Sequence, residues 1–219
     1  MPLDFLTLAQ QCAPQISPIT MAALVRTESG FNPYAIGVVN ARLVRQPSNE
    51  PEAIATARAL AADGWRFSAG LAQVSRANWP RYGLTEHNAF DPCRNLAAGA
   101  AILEGCFKLA RRVHAEPQAA LRDSLSCYAS GDFSTGYRTG YVEQVVKSAQ
   151  QSVPASSVNV DVPVAVPAIA PIPVVAMTSH VSADPERLKP VIDPRVRPDQ
   201  GEARPVGQGS EATGSAVVF

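Results

Sequence analysis

The chain carries no excess charge of either sign: 19 basic and 19 acidic residues give a formal net charge of zero over 219 residues. That balance excludes the basic footprint of a nucleic-acid binder, and no polybasic stretch offers a surface to anionic lipid. Long apolar runs are also missing. The longest near the start covers a few residues around Phe5 and Leu6, well short of the roughly 20 that a membrane span requires. The opening Met1-Pro2-Leu3-Asp4 lacks a positive n-region and a clear h-region, so it is not a standard secretory signal. Export then needs another signal, or a start upstream of this one. Neither a Cys-x-x-Cys pair nor zinc-ligand spacing with His87 or His114 is present, so no metal is expected. The four cysteines, Cys12, Cys93, Cys106 and Cys127, read as two disulfides in an oxidising compartment or as four buried thiols, and three pairings are open.

Composition divides the chain near Gln150. Residues 151–219 hold 10 of the 19 prolines and one aromatic residue, Phe219. Proline removes backbone donors and biases its predecessor away from helix, so that density leaves room for no helix or central strand. The expectation is a Pro-rich flexible tail. Its Val/Ala/Pro section from Val158 to Ala176 reads either as an extended polyproline-like segment passing over a partner surface or as a tail without function.

Residues 1–150 read as a compact all-α domain. Ser17-Pro18 opens a helix that Gly30 and Asn32-Pro33 stop. Asn49-Glu50-Pro51 opens a second, through Ile54, Ala57, Arg58 and Leu60 to Gly64. Asp91-Pro92 starts the clearest, whose stripe of Leu96, Gly99, Ala100, Leu103, Phe107 and Ala110 has the spacing of a buried face. Pro117 begins another, with Leu121, Leu125 and Tyr128 on one side, and a last helix holds Tyr141, Val142, Val145, Val146 and Ala149. No stretch alternates apolar and polar residues for long enough to demand a sheet.

The chemistry concentrates on the helix from Pro18. Met21, Leu24, Val25 and Glu28 fall at i, i+3, i+4 and i+7, so one face runs apolar and ends in a carboxylate. Such a carboxylate is costly to bury unless paired, and partial desolvation suits a general acid working near neutral pH. The bland alternative is a side chain that points to solvent at a frayed helix end.

The surrounding string sharpens the choice. Glu28-Ser29-Gly30-Phe31-Asn32-Pro33, Gly70-Leu71-Ala72-Gln73-Val74, Asp91-Pro92-Cys93-x-Asn95-Leu96, Tyr128-x-x-Gly131 and Tyr141-Val142 occur in this order. Over residues 3–147 the chain resembles the soluble lytic transglycosylases, which have a goose-lysozyme-like fold. It resembles more closely the VirB-type transglycosylases of type IV secretion systems, through Leu8-Ala9-x-x-Cys12-Ala13-Pro14, the long insert before the second motif with its helix Pro51–Ala57 and Gly64-Trp65, and the Pro-rich tail.

The resemblance implies a periplasmic enzyme that cuts peptidoglycan glycan strands, uses no cofactor or metal, and works with other secretion components, through the 151–219 tail in particular. It makes Glu28 the catalytic acid and base. Its substrate-binding set is Ser29, whose hydroxyl helps fix the turn, the amide of Gln73, and Tyr128, whose ring lies near the catalytic carboxylate. It also implies the disulfides Cys12–Cys93 and Cys106–Cys127. A single carboxylate suffices in that family, unlike the paired-carboxylate scheme usual for glycosidases. Asp63, Asp91 and Asp132 offer no convincing partner, Asp91 being better explained as an N-cap.

Two positions depart from the family pattern. Ala72 stands where Met is usual, which is expected to open the glycan groove wall, and Ala129 stands where Asn is usual, removing a polar contact. Ser75 or Asn78 is placed to compensate, and Trp65, Trp79 and Tyr82 are candidates either for stacking on sugars or for the core. These departures keep two alternatives in view: a catalytically weakened wall-binding assembly factor, and a hydrolysing muramidase on the same fold.

Overall fold

Four helices carry a proline in their first turn, where a missing N–H interrupts no intrahelical bond. The computed structural model describes residues 4–151 and 169–177. Its helices are α1 (Phe5–Cys12), α2 (Pro18–Ser29), α3 (Glu50–Ala62), α4 (Pro92–Ala110), α5 (Pro117–Ser130), α6 (Thr135–Arg138) and α7 (Tyr141–Ala149). Side-chain caps fix several of the starts. Asp4 accepts from Thr7 N, Asn49 from Glu52 N, Asp91 from Arg94 N, and Glu116 from Gln118 N and Ala119 N. Asp91 is therefore structural.

The fold is mainly helical, with short strands that sequence periodicity did not reveal. β1 (Ile36–Val38), β3 (Phe67–Ala69) and β4 (Val74–Ser75) form one antiparallel sheet in the order β1-β3-β4. β2 (Ala41–Leu43) pairs antiparallel with β5 (Val174–Ala176). Strands of two or three residues are too short to show an alternation. A 3₁₀ turn, Arg76–Tyr82, follows β4.

α4 runs through the centre. Leu96, Ala100 and Leu103 are fully buried, and α4 packs against α5 on one side and α1 on another. Disulfides reinforce both contacts: Cys12–Cys93 joins the end of α1 to the start of α4, and Cys106–Cys127 joins α4 to α5.

The Pro-rich tail lies largely outside the described residues, but 169–177 differ from the flexible reading. Val44 N donates to Pro173 O, Met177 N donates to Asn40 O, and Ile172 N donates to the buried Thr56 hydroxyl. Ile172 is 5% exposed and belongs to the main hydrophobic core, and burying it contributes about 2 kcal/mol. The prolines permit this because β5 itself, 174–176, contains none and sits at a sheet edge. The segment passes over its own domain.

Beside it, Glu52 organises the start of α3. Arg45 approaches both of its oxygens, one of them (Nη1 to Oε2) at 2.8 Å, and Ser48 N donates to Oε2 at 2.8 Å. These contacts, Arg45 first, hold the mostly buried carboxyl down to about 2 from an ordinary 4.5.

Two outcomes follow. In the loop-entropy picture, removing the disulfide with the longer separation, by Cys12→Ser with Cys93→Ser, costs about 4 kcal/mol, and removing Cys106–Cys127 costs about 3 kcal/mol. Urea unfolding of the two double variants ranks them. The Glu52 contribution is complete above pH 4.5 and vanishes as pH falls through about 2. The stability gap between wild type and Glu52→Gln should therefore close across that window in acid-unfolding curves.

Candidate active site

α2 buries Met21, Leu24 and Val25 completely and leaves Glu28, one turn on, half-buried. The helix then stops abruptly, because Gly30 (φ 60°) and Phe31 (φ 68°) are both left-handed. The second of these is unfavourable for a side chain of that size. Packing holds it: the Phe31 ring meets Phe5 edge-on at 4.9 Å, and the Arg26 guanidinium lies 5.3 Å from its centroid. Ser29 anchors the helix end, its hydroxyl reaching Val25 O at 3.1 Å and Leu71 O at 2.7 Å. Those bonds place Ser29 in the frame of the turn.

Glu28 opens into a cleft of about 770 Å³. One wall carries Val38, Val39 and Asn40 from the end of β1 and the link to β2, another Trp65, Arg66, Phe67 and Ser68, and a third Ser75, Arg76 and Ala77. Ala129, Ser130, Thr135, Thr139, Tyr141 and Gln144 close the opposite side. Among the described residues lining it, Glu28 is the only carboxylate. Asp132 is occupied elsewhere. Burial alone would raise its carboxyl, but donors from Thr135 and Ser134 hold it well below the usual range.

Tyr141, the first residue of α7, donates its hydroxyl to Glu28 Oε1 at 2.6 Å. Burial, with the Glu28 charge as the next cause, keeps this phenol far above its ordinary pKa, so it stays a donor. α7 is pinned alongside α2 by a hydrogen bond between Thr27 and Ser148 at 3.0 Å. Tyr141 stands in the Tyr141-Val142 motif, to which the family resemblance attaches no role. Its position at a helix start, immediately after left-handed Gly140, was the available signal.

The second motif forms the floor. Gln73 is 6% exposed and left-handed (φ 46°), and it lines the cleft. Its Nε2 donates to Ala35 O and Gly70 O, both at 2.9 Å, which ties β1 to the turn. Behind it the fully buried Asn95 accepts from Ala72 N and donates to Ala69 O and Ala89 O. Tyr128 also stands behind the floor. Its hydroxyl donates to Ala72 O, and burial first, then the nearby Glu28 charge, raise its pKa.

Ala72 does not open the groove wall as expected. It is fully buried against α4, where a side chain at Gly99 would lie 2.5 Å from Ala72 Cβ. Ala129 does line the cleft. Of the two proposed substitutes, Ser75 lines the cleft and makes no capping bond, whereas Asn78 is buried. Trp65 lines the cleft. Trp79 is core, donating to Val74 O and packing edge-on to Phe67, and Tyr82 is partly buried against the core. Among the described residues no cluster of His, Cys, Asp and Glu could hold a metal ion, and no helix is long and apolar enough to cross a membrane.

Comparison with known proteins finds a family and relatives. The transglycosylase SLT domain matches residues 5–149. The chain is 55% identical over 153 residues to the type IV secretion system protein virB1 of Brucella abortus biovar 1 (strain 9-941), covering 67% of this chain and 64% of that protein. It is 32% identical over 151 residues to protein virB1 of Agrobacterium fabrum (strain C58), covering 69% of this chain and 61% of that protein. The chain thus spans less than two thirds of the length of these relatives. No solved structure matches it. On the family match and these identities, the chain belongs to the transglycosylase SLT domain family, alongside the virB1 proteins.

Proposed function

We propose that the protein is a lytic transglycosylase that cleaves the β-1,4 bond between N-acetylmuramic acid and N-acetylglucosamine in peptidoglycan. The observation that carries this reading is the lone cleft carboxylate with a phenol bonded to one of its oxygens. Tyr141 holds Oε1 as an acceptor and so orients the carboxyl in the cleft. Glu28 gives its proton to the glycosidic oxygen as the bond from that oxygen to C1 of the muramic acid breaks. The resulting carboxylate then takes the proton of the same sugar's 6-hydroxyl, whose oxygen attacks C1 and closes a 1,6-anhydro ring. No water enters and no second carboxylate is required, which sets the scheme apart from paired-carboxylate hydrolysis.

In this reading Ser29, Gln73 and Tyr128 act on substrate through the wall they brace, with Ser75 offering a hydroxyl in the cleft. The setting is the periplasm, where both disulfides would be stable. The relatives named as type IV secretion proteins suggest a role in opening the wall locally for such an apparatus, working with its other components.

Digestion of purified sacculi tests the chemistry. Wild type should release anhydro-ended fragments, one water lighter than hydrolysed ones, and Glu28→Gln should release none. Equal cleavage by both forms would remove Glu28 from its role, and binding without cleavage by either would favour a wall-binding assembly factor. Tyr141→Phe deletes a hydrogen bond to a charged group, worth about 1.5–3 kcal/mol. Its kcat should fall roughly 10- to 100-fold, and its melting temperature should fall by several degrees.

A further inference from the structure

Met177 is the one described cleft-lining residue that comes from beyond α7, brought there by the segment 169–177. Its placement is built. The segment is anchored at one end by buried Ile172, whose N–H meets the Thr56 hydroxyl at 3.0 Å. It continues as β5 in register with β2, Leu43 opposite Val174 and Ala41 opposite Ala176. At its far end Met177 N donates to Asn40 O at 3.2 Å, in the link between β1 and β2, where Asn40 is left-handed (φ 58°). Next in the chain, Val39 N donates to Arg66 O at 2.9 Å. Met177, Asn40, Val39, Arg66 and Trp65 therefore form one continuous rim of the cleft.

Given the glycan-cleaving reading on which this rests, we infer that Met177 is a substrate-contacting specificity residue, held at the rim by a strand that belongs to the catalytic unit. The chemistry suits an N-acetylated sugar. A flexible, polarisable thioether in the same cleft as the half-buried Trp65 ring offers an apolar face to an acetamido methyl and to the flat side of a pyranose. The adjacent Arg66 guanidinium supplies a donor for the carboxylate of a peptide stem. The same strand fixes the β1–β2 link through Asn40, so the rim is rigid before substrate arrives.

The 219-residue chain provides the test, in two backgrounds: wild type for kcat and KM on uncrosslinked glycan strands, and Glu28→Gln for the Kd of the same strands by calorimetry. Met177→Ala should raise both KM and Kd about fivefold, as loss of an apolar contact in a binding site does. The melting temperature should not move, and Met177→Leu should restore most of the affinity. Ile172→Asp, which unseats the strand, should weaken binding at least as much and also lower the melting temperature. Val175→Ala, at an exposed position of β5 outside the cleft, should match its parent. Unchanged Kd and KM in Met177→Ala would overturn the inference while leaving the glycan-cleaving reading intact. Equal weakening by Val175→Ala would also overturn it, by assigning the effect to the strand and not to Met177. If neither parent binds or cleaves glycan, the functional reading fails first and this inference falls with it.

Discussion

A phenol and a carboxylate 2.6 Å apart join the two helices that define the cleft. α2 delivers Glu28 at the end of a buried apolar stripe, and α7 begins with the residue that donates to it. A carboxylate in that setting is tolerable only with a committed donor. Much of the surrounding structure keeps this pair aligned: the Thr27–Ser148 bond between the helices, the Gly30–Phe31 turn, and the Ser29 hydroxyl on Leu71 O. Moving α7 relative to α2 would break the pair before it disturbed the core.

A second layer stiffens the floor from behind. Asn95 bonds Ala72, Ala69 and Ala89, Gln73 bonds Ala35 and Gly70, and Tyr128 bonds Ala72. These are polar side chains in a buried region, and each has backbone partners, so their cost is offset and their geometry is fixed. The motif residues around the second turn thus serve a frame as much as a surface. Close docking of Gly99 on Ala72 leaves α4 no slack there.

The five longest helices were legible because their signals are local: Asp91-Pro92, Asn49-Glu50-Pro51 and the α4 stripe each specify a boundary or a face within a few residues, whereas α1 and α6 carry no comparable signal. The strands were not, since β4 has two residues and the others three, and their pairing is set by tertiary contact. Glu28 was visible as an odd carboxylate on an apolar face, but Tyr141 lies 113 residues away and nothing in spacing links them. The reading of Ala72 failed for a related reason: a motif position says which residues are near a site, not which side of the wall each one faces. The tail was read from its prolines, which do forbid helix, yet the proline-free 174–176 found an open edge at β2.

Cleavage of glycan strands in water enriched in the heavy oxygen isotope tests the central claim most directly, because it asks whether one carboxylate closes the ring without solvent. Mass spectrometry of the products should find no label in the new sugar ends. Incorporation of one labelled oxygen per cleavage would contradict the account and make the reaction a hydrolysis.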